Sequence, residues 1–225
     1  MPGRTEILAT DEIYHVYNRG VASQPIFFTN KNYQRAVSTI FYYCNQNLPL
    51  RYSDFIVQSH DKKIEILEKL KNEKKFLVEI IAFCLMPNHF HFLLKQVIDN
   101  GISNFLSKFT NSYTRYVNSK NKRSGSLLQG RFKAVRIEND EQFLHVGRYI
   151  HLNPYSSYIV KKLPDLENYP YSSLPEYLRK TKANFCHKRL ILNQFKDKTA
   201  YKKFVFDQAN YQRELQNIKH LILES

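Results

Sequence analysis

The chain has 225 residues, 43% of them hydrophobic and 14% aromatic, so it can bury a core and is not a disordered tail. Its 34 Lys and Arg residues against 20 Asp and Glu residues give a formal net charge of +14, which favours nucleic acid or another polyanion as the partner. The length suits one domain with an appendage, or two small domains.

Three further features of the sequence indicate the cellular compartment of the protein. No apolar run approaches the ~20 residues that span a membrane. The N-terminal "MPGRTEILATDE" lacks the apolar segment of a secretory signal. The three cysteines, Cys44, Cys84 and Cys186, are widely separated and predict reduced, buried thiols. We therefore expect a cytoplasmic protein that does not contact membranes.

The first half of the chain predicts a strand followed by one or two helices. "EIYHVYNRG" (Glu12–Gly20) is typical of a strand that ends in a turn at its last three residues. From Asn30, which could cap it, apolar residues recur at helical spacing and predict a helix. Asp61–Lys75 predicts a short surface helix or an insertion, with Ile64, Leu67 and Leu70 on its apolar stripe.

The middle of the chain predicts a hairpin and then a long helix. "FLVEIIAFCLMP" (76–87) and "HFHFLLKQ" (89–96) are typical of strands joined by a tight turn at Pro87 and Asn88, so we expect them to be antiparallel neighbours. Residues 102–123 predict a long basic helix that ends at Ser124 and Gly125.

The remaining elements complete a βα(α)ββαβα order. Residues 131–138 predict a strand, and 140–153 predict a helix that Asp140 caps and Pro154 stops. Phe185–Ser225 predicts two further polar helices. This order predicts an α+β, ferredoxin-like fold, with helices on one face of a central antiparallel sheet and a helical C-terminal extension. We place a main domain at 1–160, with an inserted segment at about 58–77, and the extension at 161–225.

The strand "CLMPNHFHFLLK" carries His89 and His91, two residues apart. Because residues i and i+2 of a strand share a face, both imidazoles leave the sheet side by side. Two neutral imidazoles on one rigid face can share a divalent metal ion. The alternative is structural, with one histidine packed and the other solvated.

A basic stretch follows from Gly101 to Arg136, with no acidic residue in it. Tyr113, Tyr116 and Phe132 lie among its cations, as ring stacking on unpaired bases would require. The stretch predicts a nucleic-acid surface, and the alternative is an ordinary solvated face. Its eight cations are Lys108, Arg115, Lys120, Lys122, Arg123, Arg131, Lys133 and Arg136.

The helix before Pro154 places Tyr149 and Asn153 four residues apart, a rotation of only about 40°, with His145 one turn earlier on that face. A phenol, an amide oxygen and a nearby histidine pair are the parts of a site that cleaves phosphodiesters. Each residue also has a structural alternative, because Tyr149 could lie at the edge of the core and Asn153 could end the helix.

Five separated motifs carry a resemblance to a known family: "YHVYNRG", "MPNHFHFLL", "SGSLLQGRFKA", "VGRYIHLNP" and "YPYSS". In this order and at these spacings, the chain resembles the REP-associated tyrosine transposases of the HUH single-strand DNA transposase superfamily, which include the IS200-like transposases. The resemblance covers roughly residues 10–180. It departs at "LLQG" (Leu127–Gly130), where many relatives carry a tryptophan that this chain lacks.

The resemblance implies roles for individual residues. His89 and His91 match the metal-binding pair, Asn153 matches a third metal contact, and Tyr149 matches the nucleophile, with Tyr113 and Tyr116 as rivals. It implies Mg²⁺ or Mn²⁺ and single-stranded or hairpin DNA, which is cleaved and rejoined through a 5′-phosphotyrosine. It leaves monomer and homodimer open, as well as the DNA motif and whether the protein still moves DNA.

Two rival functions remain at this point. One is a catalytically silent binder of hairpin DNA or RNA that uses the same sheet and basic helix, although the intact histidines, Tyr149 and Asn153 argue against it. The other is a metal phosphohydrolase for small molecules, which the basic helix and the lack of an acidic metal cluster disfavour.

Overall fold

A computed structural model describes residues 7–215, and its centre is a four-stranded antiparallel sheet in the order β2-β3-β1-β4. The strands are β1 (Ile13–Arg19), β2 (Val78–Met86), β3 (His89–Gln96) and β4 (Lys133–Arg136). The predicted hairpin of β2 and β3 is confirmed, and β1 pairs with both β3 and β4.

Helices occupy most of the remaining chain. They are α1 (Asn30–Tyr43), α2 (Tyr52–Ile56), α3 (His60–Glu73), α4 (Gly101–Lys120), α5 (Asp140–Ser156), α6 (Leu174–Tyr177), α7 (Arg189–Leu192) and α8 (Lys198–Phe206). Residues 209–215 are also helical, and 216–225 of the predicted C-terminal helices lie outside the described part, as do residues 1–6 of the N-terminal segment. Within residues 7–215, no helix has the length and apolar character to cross a bilayer.

The helices cover both faces of the sheet, so the expectation of helices on one face is wrong. Phe90 and Phe92 pack against Phe105 and Phe109 of α4, which itself packs beside α1. The histidines of β3 alternate with these phenylalanines and face α5 on the other side. A strand with apolar side chains on one face and histidines on the other therefore separates a helical layer from the candidate site.

Strand β1 continues two residues further than the sequence predicts. Asn18 and Arg19 still pair with β3, and the chain turns only at Gly20, before a 3-10 helix at Val21–Ser23. A Cβ atom at Gly20 would lie 2.1 Å from the carbonyl oxygen of Gln24, so this close approach requires glycine.

Helices α1 and α5 are each capped one residue earlier than predicted. The side chains of Thr29 and Asn139 accept hydrogen bonds from the backbone N–H groups of Asn32 and Gln142. Both caps have extended backbone angles, as an N-cap requires, whereas Asn30 and Asp140 are already helical. Asp140 still favours the helix, because an acidic residue in the first turn complements its dipole.

Pro154 does not stop α5, which continues to Ser156. Proline removes one backbone hydrogen bond, and here it lies in the last turn, where few such bonds remain to be lost. The backbone carbonyl of Asn153 still accepts a hydrogen bond from the N–H of Ser157 at 3.0 Å.

The inserted segment contains α3, and α2 precedes it along the chain. The apolar stripe of α3 differs from the predicted one. Ile66 and Leu70 are buried, whereas Ile64 and Leu67 are 42% and 49% exposed. Two apolar residues four apart are enough to attach this charged helix to the core.

The described part of the C-terminal extension packs against β2 and α5. The hydroxyls of Tyr169 and Tyr177 donate hydrogen bonds of 2.8 Å to the carbonyls of Leu85 and Ile81 in β2. His151 of α5 is fully buried between the hydroxyls of Ser173 and Tyr201, both 2.7 Å from its ring nitrogens. The extension therefore stabilises the helix that carries Tyr149.

Candidate active site

Strand β3 presents His89 and His91 on the face that α5 covers. Their ring centroids lie 5.0 Å apart, and the rings are nearly perpendicular. His91 is only 6% exposed, and His89 is half-buried at the start of the strand. Strand alternation thus brings the two imidazoles together as predicted.

A hydrogen bond identifies the free nitrogen of His89. Its Nδ1 lies 2.6 Å from Oδ1 of Asn88, and the Asn88 amide is oriented by donating from Nδ2 to the carbonyl of Ser23 at 3.0 Å. Because an amide oxygen only accepts, Nδ1 of His89 must carry the proton. The lone pair of His89 is therefore on Nε2.

His15 of β1 is a site residue that the sequence analysis did not select. Its Nε2 lies 2.9 Å from Nδ1 of His91, and the two rings are stacked. One nitrogen of this pair donates and the other accepts. When His91 donates from Nδ1, its lone pair is on Nε2, the same arrangement as in His89.

The signal that could have identified His15 is strand alternation within "YHVYNR". His15, Tyr17 and Arg19 share one face of β1, and Tyr17 and Arg19 are paired with His91 and His89. The alternation is visible in the sequence, but the pairing of β1 with β3 is not.

All three imidazoles are neutral near pH 7. Burial lowers the pKa of His15 to about 4, and burial together with the charge of Arg19 lowers that of His89 to about 4. Burial, with His89 and His15 as neighbours, holds the pKa of His91 well below its usual value. Neutral imidazole is the form that binds metal ions.

Tyr149 of α5 lies against this histidine group. Its ring centroid is 5.4 Å from that of His91 and 5.9 Å from that of His15, with both contacts edge-on. On another side, Tyr149 and His145 line a cavity of about 570 Å³. The structure thus brings together the phenol and the histidine pair, which the sequence places on different elements.

Burial raises the pKa of the Tyr149 phenol, and the nearby Asn153 side chain opposes part of that rise. The phenol is therefore protonated at neutral pH, and it must lose that proton before it can attack.

Asn153 is one turn beyond Tyr149 on α5 and only 4% exposed. Its Nδ2 donates a hydrogen bond of 2.9 Å to the backbone carbonyl of Tyr149, which also accepts from Gln212 at 3.2 Å. The amide oxygen is the Asn153 atom with the chemistry to bind a hard cation.

The histidine pair can hold a divalent cation with an open coordination sphere. Within residues 7–215, no group of three or more His, Cys, Asp or Glu side chains is arranged to hold a metal ion. Two neutral imidazoles leave several coordination positions of such a cation open to water and phosphate oxygens.

Helix α4 places the two rival tyrosines on the opposite side of the sheet from the histidines. Tyr113 is 2% exposed, and its hydroxyl donates a hydrogen bond of 2.8 Å to the carbonyl of Ile26. It can neither stack on a base nor attack a phosphate, so its predicted place among the stacking rings is wrong. Tyr116 contacts the guanidinium of Arg35, with 5.0 Å between Cζ and the ring centroid.

The eight predicted nucleic-acid-binding cations are divided between different parts of the molecule. Lys108, Arg115 and Lys120 line a groove beside α4. Lys133 pairs with Tyr17 and so shares the face of the histidines, whereas Arg136 forms an ion pair of 2.6 Å with Glu12. The others are Lys122, Arg123 and Arg131, which lie between α4 and β4.

The family match falls on the segment that contains the histidines, Tyr149 and Asn153. Residues 50–153 match the family model described as "Transposase IS200 like". The predicted family resemblance is confirmed. A solved structure of a REP-associated tyrosine transposase bound to a REP hairpin aligns with a TM-score of 0.55 and 16% identity, covering 82% of this chain and 90% of that one. No curated protein matches the chain significantly.

The structural likeness confirms the α+β fold, with helices packed on a four-stranded antiparallel sheet. The IS200-like segment begins at residue 50, so it includes α2 and the inserted segment with α3, and it extends to Asn153. Strand β1, with His15 and Arg19, lies before it.

Proposed function

We propose that this chain is a metal-dependent, single-strand DNA endonuclease and strand transferase of the HUH type. It cleaves DNA next to a hairpin and forms a covalent 5′-phosphotyrosine at Tyr149. The observation that carries the proposal is the contact of the Tyr149 ring with His91, beside a second histidine whose Nδ1 is already hydrogen-bonded.

His89, His91 and Asn153 would hold Mg²⁺ or Mn²⁺, which when bound withdraws charge from the phosphate and stabilises the leaving oxygen. The protein prepares this site by burying the imidazoles in their neutral form and by fixing their Nδ1 atoms. His15 acts here as a positioning residue, because it orients His91 without needing to contact the DNA.

In the proposed reaction, the hydroxyl oxygen of Tyr149 forms a bond to phosphorus, and the bond from phosphorus to the 3′ oxygen breaks. The phenol loses one proton and the departing 3′ hydroxyl gains one, so the step is balanced. The phosphodiester bond energy is retained in the phosphotyrosine, so rejoining needs no nucleotide cofactor. Arg19, opposite His89 in the strand register, would offset charge on the phosphate.

Single-stranded DNA beside a hairpin is the substrate that this geometry favours. The candidate site lies between a sheet face and a helix, and a flexible single strand can enter such a site more easily than a rigid duplex. The structural neighbour's bound REP hairpin supports the same class of partner. The cytoplasm, where DNA is accessible, is the proposed compartment.

Incubation of the protein with three DNAs tests the proposal: a hairpin with a single-stranded flank, the same hairpin without the flank, and a blunt duplex. We expect a covalent protein–DNA adduct with the first, dependent on Mg²⁺ or Mn²⁺ and absent in EDTA. Equal cleavage of all three would refute the single-strand mechanism, and no adduct with any of them would favour the silent hairpin binder.

A further inference from the structure

A groove of about 890 Å³ lies between α4 and a wall formed by α1, α2 and the segment that joins them. We call it the basic groove. Lys108, Arg115 and Lys120 line its α4 wall, and Arg35 and Arg51 line the other. Among the described residues, no Asp or Glu lines it.

The basic groove is on the far side of the sheet from Tyr149. Helix α4 packs on the phenylalanine face of β3, whereas Tyr149 packs on its histidine face. The groove is therefore separate from the candidate active site, and its second wall includes Arg51 and residues of α2, which precede the inserted segment.

Arg35 contacts two aromatic rings in this groove. Its Cζ atom lies 4.4 Å from the ring centroid of Tyr52 and 5.0 Å from that of Tyr116, so the guanidinium is clamped between two rings. Its Nε is buried and has no hydrogen-bond partner among residues 7–215, and burial lowers the pKa of the guanidinium. A positive charge that is desolvated and already oriented gains more from an approaching anion than a flexible lysine does.

The five cations of the groove have no acidic partner within residues 7–215, where every ion pair of the structure involves other residues. Like charges gathered around one groove repel each other unless anions bind there. One small anion would engage one or two of them, whereas a polyanion can engage all five.

The spacing along α4 matches a nucleic-acid strand. Lys108 and Lys120 are twelve residues apart, which is about 18 Å at ~1.5 Å per residue. That distance corresponds to about five nucleotides of one duplex strand at ~3.4 Å each. We infer that the basic groove binds the phosphodiester backbone of a DNA hairpin stem, with Arg35 and Arg51 contacting phosphates from the wall opposite α4. The inference rests on the proposed DNA partner but not on cleavage.

The test compares two double variants that remove the same charge. Arg35→Gln/Arg51→Gln acts inside the groove, and Lys31→Gln/Lys71→Gln is the matched control, with one exposed cation on α1 and one on the inserted segment outside the groove. Affinity for a DNA hairpin with a flank is measured by fluorescence anisotropy between about 50 and 200 mM salt.

We expect the groove variant to flatten the slope of log K against log salt by about 1.8, roughly 0.9 for each lost phosphate contact, and the control to keep the wild-type slope. Because Arg35 packs against two rings, its replacement could disturb the fold, and circular dichroism checks for this. Arg51→Gln alone should flatten the slope by about 0.9. Equal slopes for the wild type, the groove variant and the single variant would overturn the inference.

Adduct formation in the same samples separates this inference from the proposed function. A flattened slope in the groove variants, without any adduct in the wild type, would support DNA binding in the groove and refute the cleavage proposal. A wild-type adduct with unchanged slopes in the groove variants would support the cleavage proposal and refute DNA binding in the groove.

Discussion

At the scale of residues, the candidate metal site depends on which nitrogen of each histidine is free. Asn88 fixes His89, and His15 faces His91 across 2.9 Å. Hydrogen bonds of this kind at the second ring nitrogen orient metal-binding imidazoles and make them better ligands. The geometry therefore predicts different effects for a ligand, for a positioning residue and for the amide.

His89→Ala should abolish cleavage at any practical Mg²⁺ or Mn²⁺ concentration, because one imidazole and one amide hold a hard cation poorly. Asn153→Ala should be milder and should recover with excess metal, because water can replace one neutral oxygen ligand. Cleavage measured across a metal titration distinguishes the two variants. Identical recovery of both, or full wild-type activity in EDTA, would show that the histidines are structural.

His15→Phe keeps a ring against Tyr149 but removes the partner of His91 Nδ1. We expect Mn²⁺ affinity, measured by calorimetry without DNA, to fall by roughly 10- to 100-fold. His15→Asn should recover part of this loss, since its amide oxygen can accept from His91. Wild-type affinity in the Phe variant, with an intact fold, would contradict the positioning role.

Residue-level prediction from the sequence succeeded where local geometry was sufficient. Alternation along β3 placed His89 and His91 on one face, and helical spacing placed Tyr149 beside Asn153. His15 was missed because its importance depends on the register between β1 and β3, which nothing local in the sequence specifies. Arg19 was missed for the same reason.

At the scale of elements, α5 connects the candidate site to the C-terminal extension. On the helix that presents Tyr149, His151 is buried between Ser173 and Tyr201 of the extension. A serine, histidine and tyrosine in hydrogen-bond contact can serve catalysis, but all three side chains are at most 1% exposed. The network is therefore structural.

Acid should destabilise the fold through His151. Burial lowers its pKa to about 3, whereas a histidine in the unfolded chain has a pKa near 6.5. Between these values the unfolded chain binds the proton more readily, so the free energy of unfolding falls by roughly 1.4 kcal/mol per pH unit as pH drops below about 6.5. The contribution of this residue is complete above pH ~6.5.

Urea denaturation at several pH values measures this effect. His151→Gln should lower stability at neutral pH by about 1–3 kcal/mol through imperfect replacement of two buried hydrogen bonds. It should also show a shallower loss of stability on acidification than the wild type. Parallel pH profiles for the two proteins would show that His151 is not the responsible group.

Element prediction from the sequence was accurate in type and order but less so at the ends. Thr29 and Asn30 both have cap-forming side chains, as do Asn139 and Asp140, so composition alone does not select the capping residue. Pro154 was given too much weight, because its effect depends on how much helix remains beyond it.

At the scale of the whole molecule, the sheet separates the candidate active site from the basic groove. The candidate active site occupies the α5 side, and the basic groove lies on the side of α1 and α4. The sequence predicted the sheet and one continuous basic surface, but it could not predict which face each helix covers. Because α4 and β4 occupy different layers, a basic stretch that is continuous in sequence is divided in space.

The identity of the nucleophile tests the account most directly. The protein is incubated with a labelled hairpin carrying a flank, and the adduct is digested and mapped by mass spectrometry. We expect phosphate on Tyr149 alone, and Tyr149→Phe should bind the same DNA with unchanged affinity while forming no adduct. An adduct on Tyr113 or Tyr116, or undiminished cleavage by the Phe variant, would contradict the account.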